Sequence, residues 1–253
     1  LFEMAGSLSQ LLQAKNCLLA DGATGTNLFE MGLLNGESPE LWNISQPDKI
    51  KSLHKSAVDC GSDLFLTNSF GANRSRLKLH NAGHLSYELS RVSAELGREV
   101  ADKVKRKVLV AGSIGPIGEL MVPMGNLSHS LAVEIFHEQA EGLKEGGADI
   151  LWLETISAPE EFYAAERAFE LAGLDWCGTM SFDTAGRTMM GLTSTMMVEM
   201  VNKLENQPLG FGANCGAGLS DLLRTILGLA SLDCPVPIIA KSNAGMPRFM
   251  DGE

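Results

Sequence analysis

The sequence predicts an α/β protein, a (β/α)8 barrel of the TIM type that lacks its eighth strand. Seven short apolar runs alternate with longer amphipathic stretches along the chain, a pattern typical of parallel strands joined by helices. With 253 residues, 45% of them hydrophobic, the chain is long enough to bury the core of one barrel domain spanning residues 1–253. We therefore expect a single barrel that is incomplete at its C-terminal end.

The predicted strands are the short apolar runs, each followed by small or polar residues. They are Cys17–Ala20, Asp63–Thr67, Val108–Ala111, Ile150–Leu153, Trp176–Ser181, Leu209–Ala213 and Pro237–Ala240. Because a closed barrel of this kind has eight strands, a series of seven implies that the last strand is missing.

The predicted helices repeat apolar residues at helical spacing between these runs. They are Ile50–Cys60, Tyr87–Val104, Leu131–Glu145, Pro159–Ala172, Met196–Leu204 and Ser220–Leu229. The fourth helix has the clearest start, because Ser157 is a good capping residue and Pro159 falls in the first turn. Glu160 and Glu161 follow where the helix dipole favours acids.

Composition excludes several classes of partner. A net charge of −11 and a pI near 4.9 disfavour nucleic acid and anionic membranes. The sequence contains no apolar stretch of membrane-spanning length, and its first four residues do not resemble a signal peptide. The odd number of cysteines, five, argues against a disulfide framework and for a reducing cytoplasm. A homo-oligomer is compatible with these features.

Two acids stand directly after predicted strands. Asp21 follows the first and Glu154 the fourth, at the face where barrels place their active sites. A carboxylate at a barrel mouth is costly unless it meets a cation or hydrogen-bond donors. The ammonium group of an amino-acid substrate fits this need, and a structural Lys or Arg is the alternative partner. Gly22 and Ala23 extend the first strand end into a turn whose backbone N–H groups suit a carboxylate, although a tight turn also needs glycine.

Cys215 is the one cysteine that ends a predicted strand. Cys17, Cys60 and Cys234 lie before or at the start of strands, and Cys177 lies early in the fifth. A buried cysteine is most often a small core residue, but a thiol at the mouth is also placed to bind a metal. The histidines form no comparable group.

The strand-end segments together resemble the homocysteine S-methyltransferase family. This family includes the homocysteine domain of cobalamin-dependent methionine synthase and the bacterial betaine–homocysteine methyltransferases. The matching segments, in order along the chain, are Asp21–Thr26, Thr67–Ala72, Gly112–Pro116, Glu154-Thr155, Asn214-Cys215 and Asn243–Gly245.

The resemblance implies a zinc-dependent enzyme that methylates homocysteine to methionine. Three cysteine thiolates would hold the zinc: Cys215 matches the first, and we expect an adjacent pair beyond Glu253. The metal would deprotonate the homocysteine thiol and hold the thiolate. Asp21 and Glu154 would hold the substrate's amino group, and backbone near Gly22 and Ala23 its carboxylate.

Two more strand-end residues complete the predicted substrate site, namely Asn68 and Ser113. The methyl donor stays open between a betaine-like compound and methylcobalamin or methylfolate, with a corrinoid on a separate partner protein as one source. Phe70 and Trp42 are the aromatic residues left to surround a quaternary ammonium group.

Two rival functions remain. A metal-free barrel lyase or synthase predicts a Schiff-base lysine, for which Lys241 near the end of the seventh predicted strand is the candidate. A non-catalytic amino-acid-binding relative predicts ligand binding without zinc dependence.

Overall fold

The computed structural model describes residues 7–182 and 186–245, and within them six parallel strands form one sheet. The strands follow chain order across the sheet. They are β1 (Leu64–Leu66), β2 (Leu109–Ile114), β3 (Ile150–Ile156), β4 (Trp176–Ser181), β5 (Gly210–Cys215) and β6 (Ile238–Ser242). The sheet curls into part of a barrel, so the predicted fold class is confirmed.

Helices connect the strands, as the amphipathic stretches predict. In the described part of the chain they are α1 (Ser7–Ala14), α2 (Gly25–Glu30), α3 (Trp42–Ser45), α4 (Pro47–Asp59), α5 (Arg74–Leu77), α6 (Ser86–Ala101), α7 (His129–Glu145), α8 (Pro159–Ala172), α9 (Ser194–Val201) and α10 (Leu219–Ala230). The six predicted helices correspond to α4, α6, α7, α8, α9 and α10. None of the helices in residues 7–182 and 186–245 combines the length and apolar character needed to span a bilayer.

Side chains alternate between the two faces of the sheet. One face packs against the surrounding helices through the largest apolar cluster, which includes Leu151, Phe162 and Trp176. The other face fills the interior of the curl with a smaller cluster that includes Leu66 and Trp152. Leucines of α1 join the interior cluster at the N-terminal ends of the strands. The C-terminal ends are therefore the open mouth of the half-barrel.

The predicted first strand, Cys17–Ala20, is wrong as a strand. These residues run beside β1 without entering the ladder. The backbone oxygen of Leu19 accepts from Asp63 N at 2.7 Å, but the backbone N–H of Leu19 donates to the Asp63 carboxylate at 3.0 Å. Because a side chain takes the donor that a ladder would use, the described sheet has six strands and not seven.

The predicted cap of α8 is also wrong. Ala158 is the capping residue and no side chain bonds the first turn, although Pro159 and the two acids lie where predicted. Glu161 instead accepts from the backbone N–H of Ile117 at 2.6 Å, in the loop after β2. Burial raises the pKa of Glu161, opposed by this hydrogen bond and by Arg76. The acid therefore ties the β2 loop to α8.

Candidate active site

A β-bulge in β3 shapes the mouth. Leu153 pairs with Gly178, yet Ile156 pairs with Met180, so β3 contains one extra residue at this point. Thr155 lies in the bulge with φ of 63°, a left-handed conformation that is uncommon for a β-branched residue. As a result Glu154 and Thr155 both bond to residues of the mouth, where an unbroken strand would turn one of them away.

Glu154 lies against β2. Its Oε1 accepts a hydrogen bond from Ser113 Oγ at 2.5 Å. Burial raises the pKa of the Glu154 carboxyl, and the nearby charge of Asp21 adds to this, whereas Lys241 and Ser113 act in the opposite direction. Any additional positive charge beside Glu154 would therefore stabilise the charged form of its carboxyl.

Asp21 joins the two ends of the sheet. Its Oδ2 accepts from the backbone N–H of Leu66, the last residue of β1, at 3.0 Å. Its Oδ1 lies 2.8 Å from Lys241 Nζ on β6. One carboxylate therefore reaches both the first and the sixth strand, which shows how far the sheet has curled.

Lys241 brings a positive charge to the mouth. Burial by itself lowers the pKa of this amine, but the carboxylates of Asp21 and Glu154 outweigh burial and the pKa is raised. Lys241 is consequently held as an ammonium ion. This state does not suit a Schiff-base nucleophile, which needs a lowered pKa.

Cys215 ends β5 in a second left-handed conformation, with φ of 57°. Its Sγ accepts from Asn214 Nδ2 at 3.2 Å and lies 3.7 Å from Thr155 Oγ1. Burial raises the pKa of the Cys215 thiol and Glu154 adds to the rise, while Thr155, Lys241 and Asn214 oppose it. Without a further cation at the sulfur, the thiol is the favoured form.

The side-chain amide of Asn214 links Thr155, Thr179 and Cys215 by hydrogen bonds. Its Oδ1 accepts from Thr155 N and from Thr179 Oγ1, both at 2.9 Å. Its Nδ2 donates to Thr155 Oγ1 at 2.7 Å as well as to Cys215. Asn214 is buried, so it fixes the bulge of β3 against the end of β5.

The predicted site residues separate into two groups. Asp21, Ser113, Glu154 and Cys215 are brought together around Lys241, with Gly22 and Ala23 exposed beside Asp21. The remaining residue, Asn68, is buried, and its Nδ2 donates to Pro39 O at 2.8 Å and Asn43 Oδ1 at 3.0 Å. Asn68 thus anchors the segment before α3, and its part in substrate binding stays a prediction.

Three contributors are not among the predicted site residues. The sequence offers Lys241 only as a nucleophile, and it places Thr155 and Asn214 in segments that match the family without giving either a role at the site. A period-two pattern was the available signal for Lys241, because it lies two residues after Ile239, which packs against the interior cluster. The bulge that turns Thr155 inward has no comparable signal, since Thr155 is not a glycine.

The described residues do not make a complete metal site. Among residues 7–182 and 186–245, no three His, Cys, Asp or Glu side chains are grouped so that they could hold a metal ion. Cys215 brings one sulfur to the mouth, whereas a catalytic zinc has three protein ligands. The donor set in this part of the chain therefore fits one position of a zinc site and not the whole.

Comparison with known proteins identifies the family. The sequence model of the family described as homocysteine S-methyltransferase matches residues 18–253. Methionine synthase of Mycobacterium tuberculosis (strain ATCC 25618 / H37Rv) is 28% identical over an alignment covering 92% of this chain and 21% of the synthase. Methionine synthase of Mycobacterium leprae (strain TN) is also 28% identical, covering 92% of this chain and 20% of the synthase. The chain spans about a fifth of the length of these relatives.

Among solved structures, the metallated form of the homocysteine methyltransferase MmuM from Escherichia coli has the same fold. It superposes with a TM-score of 0.82 at 22% identity, over 94% of this chain and 87% of that one. Since the family match covers nearly the whole sequence, the chain belongs to the homocysteine S-methyltransferase family.

Proposed function

We propose that this chain forms the homocysteine-binding barrel of an enzyme that transfers a methyl group to homocysteine and releases methionine. The observation that carries the proposal is the meeting of a thiol with two carboxylates at one barrel mouth. The thiol is that of Cys215, and the acids are Asp21 and Glu154, linked through Lys241. An α-amino acid with a thiol side chain has an ammonium group complementary to the carboxylates, and its sulfur could share a bound metal ion with Cys215.

Glu154 is the residue that we assign to the substrate's amino group, together with Asp21. Its half-buried carboxyl is stabilised in the charged form by each positive charge that approaches it. Ser113 holds one carboxylate oxygen and so orients the group. Gly22 and Ala23 follow Asp21 and are exposed, so their backbone is available to the substrate.

Zinc is part of the proposal only with ligands from outside the described residues. Cys215 would be one of three thiolates, and the other two are the cysteines expected beyond Glu253. Metal analysis of the protein encoded by the whole gene tests this directly. About one zinc per chain is expected, and Cys215→Ser should lower the zinc content, whereas Cys60→Ser, an exposed and free thiol, should leave it unchanged.

For the methyl donor, we favour a corrinoid on another domain or protein over a free quaternary ammonium compound. Each of the two predicted aromatic residues already has a cation of the protein itself near its ring. Arg76 lies 5.5 Å from the ring centre of Phe70, and Lys49 Nζ lies 4.4 Å from that of Trp42. A quaternary ammonium compound would therefore have to compete with these side chains for the rings.

Exposed apolar side chains in the segments that follow the strands at the mouth support the same preference. Leu120 and Met124 follow β2, Met189 follows β4, and Leu219 follows β5. A rim of this kind suits the docking of a large donor-carrying surface. Methylcobalamin should therefore support more methionine formation than betaine when each is offered with the same protein.

The rival functions make different predictions. A Schiff-base lyase needs an uncharged lysine, and Lys241 is paired with Asp21 and has a raised pKa. A non-catalytic binding protein would bind homocysteine but form no methionine. The cytoplasmic location stays a prediction.

The deciding experiment measures methionine formation by mass spectrometry. The whole natural protein is incubated with L-homocysteine and, in turn, methylcobalamin, methylfolate and betaine. Glu154→Gln should raise the KM for homocysteine by about tenfold or more, because a half-buried charge partner of the substrate's ammonium group is lost. Glu160→Gln, an exposed glutamate on α8, is the matched control. Absence of methionine with every donor would end the proposal.

A further inference from the structure

Lys241 has more hydrogen-bond donors than it has acceptors among the described residues of the mouth. Its ammonium group carries three N–H donors, and within the described residues its hydrogen-bond acceptor is Asp21, at 2.8 Å. The side chain is 22% exposed, so the group lies at the opening and not in the packed interior. The ammonium can therefore donate a hydrogen bond to an anionic ligand while it keeps its bond to Asp21.

The charges around Lys241 match a zwitterion. Glu154 lies close enough to Lys241 for each to affect the pKa of the other. An α-amino acid carries its ammonium and its carboxylate on the same carbon, so the two groups lie within a few ångströms of each other. If the ammonium binds at Glu154, the carboxylate falls beside Lys241.

We propose that Lys241 is a specificity-determining residue that binds the α-carboxylate of the substrate. The inference rests on the proposed function and deepens it, because it restricts the substrate class to amino acids and excludes simple amino thiols. Backbone N–H groups at Gly22 and Ala23 lie next to Asp21 in the chain and can share the same carboxylate. A purely structural ion pair with Asp21 is the alternative role for Lys241.

Two ligands that differ only in the carboxylate separate these roles. L-Homocysteine and 3-aminopropane-1-thiol share the amine, the thiol and the chain between them. Loss of a structural ion pair would weaken both ligands alike, since both place an ammonium on the acids. Loss of a carboxylate partner would weaken homocysteine alone, so the ratio of the two dissociation constants isolates the proposed contact.

The test is isothermal titration calorimetry of the whole natural protein with both compounds. The unaltered protein should bind homocysteine about tenfold tighter than the amino thiol or better, as for a partly buried charged hydrogen bond. Lys241→Met should bring that ratio close to one. Lys241→Arg, which keeps the charge and the donors, should retain most of it.

The matched control is Lys203→Met, which removes the same charge from an exposed position. If Lys241→Met does not fold, Lys241→Gln makes the same comparison. An unchanged ratio in the Lys241 variants, or an equal fall in the Lys203 variant, would overturn the inference. Equal binding of both ligands by the unaltered protein would also overturn it, while leaving the proposed function intact. Binding of neither ligand would instead remove the proposed function.

Discussion

His54 should make the stability of this protein depend on pH between 6.5 and 4. The imidazole lies on α4 and is only 2% exposed. It stacks on Phe65 with ring centres 4.7 Å apart. Its Nε2 is buried without a hydrogen-bond partner among the described residues. Burial alone lowers the pKa of His54 from 6.5 to about 4, so the folded protein keeps this group neutral.

The sign of the effect follows from linkage. Below pH 6.5 the unfolded chain binds a proton that the folded protein refuses until the pH approaches 4, so stability is lost as the pH falls. Above pH 6.5 the contribution is fully present. The shift is worth about 3 kcal/mol in total, and about 2 kcal/mol of that is lost between pH 7 and pH 5.

Urea unfolding of the wild-type protein and His54→Phe at pH 7 and pH 5 measures this contribution. The phenylalanine keeps the stack on Phe65 but binds no proton, so the variant should lose about 2 kcal/mol less than wild type over this interval. Carboxylates that titrate in both proteins cancel from the comparison. His80→Phe, at an exposed position on the surface, should retain the wild-type pH response. Equal losses in wild type and His54→Phe would refute the argument.

Three further predictions concern close contacts near the mouth. Gly212→Ala should prevent folding or cost more than about 3 kcal/mol, because its Cβ would lie 1.9 Å from a backbone oxygen of β6. Gly25→Ala, where a Cβ meets nothing within 4 Å, should be near neutral in the same urea assay. Asn214→Ala should lower the free energy of unfolding by about 2–4 kcal/mol, since buried donors and acceptors lose their partners. In the same variant, thiol reagents should label Cys215 faster, because Asn214 no longer fixes its side chain. An unchanged labelling rate would contradict this role of Asn214. Glu161→Ala should cost about 1–3 kcal/mol by leaving a buried N–H in the β2 loop unpaired, and thermal unfolding checks it.

Much of the architecture could be predicted because it follows from periodic patterns. The helices α4 and α6 to α10 follow the 3.6-residue repeat of apolar side chains, and α8 begins at the predicted Pro159. The location of Glu154 and Cys215 near strand ends could also be predicted, since Glu154 directly follows one apolar run and Cys215 lies one residue beyond another. These features depend on many residues acting together, so local exceptions do not obscure them.

The details that were not predicted depend on single side chains. Asp63 removes Leu19 from the sheet by accepting its N–H, and nothing in composition distinguishes this from a short strand. The conformations of Thr155 and Cys215 are both left-handed without glycine, and they are maintained by contacts with Asn214. The pairing of Asp21 with Lys241 joins residues 220 positions apart, a distance that no local pattern encodes.

The pairing of Asp21 with Lys241 also determines when the mouth forms during folding. Contacts between distant parts of a chain form late in folding, because a long loop must close before they are made. A growing or partly folded chain would form its helices and several strands before Asp21 pairs with Lys241 on β6. Ligand recognition at this mouth would thus be among the last properties the molecule acquires, and its appearance would signal that the two ends of the sheet have met.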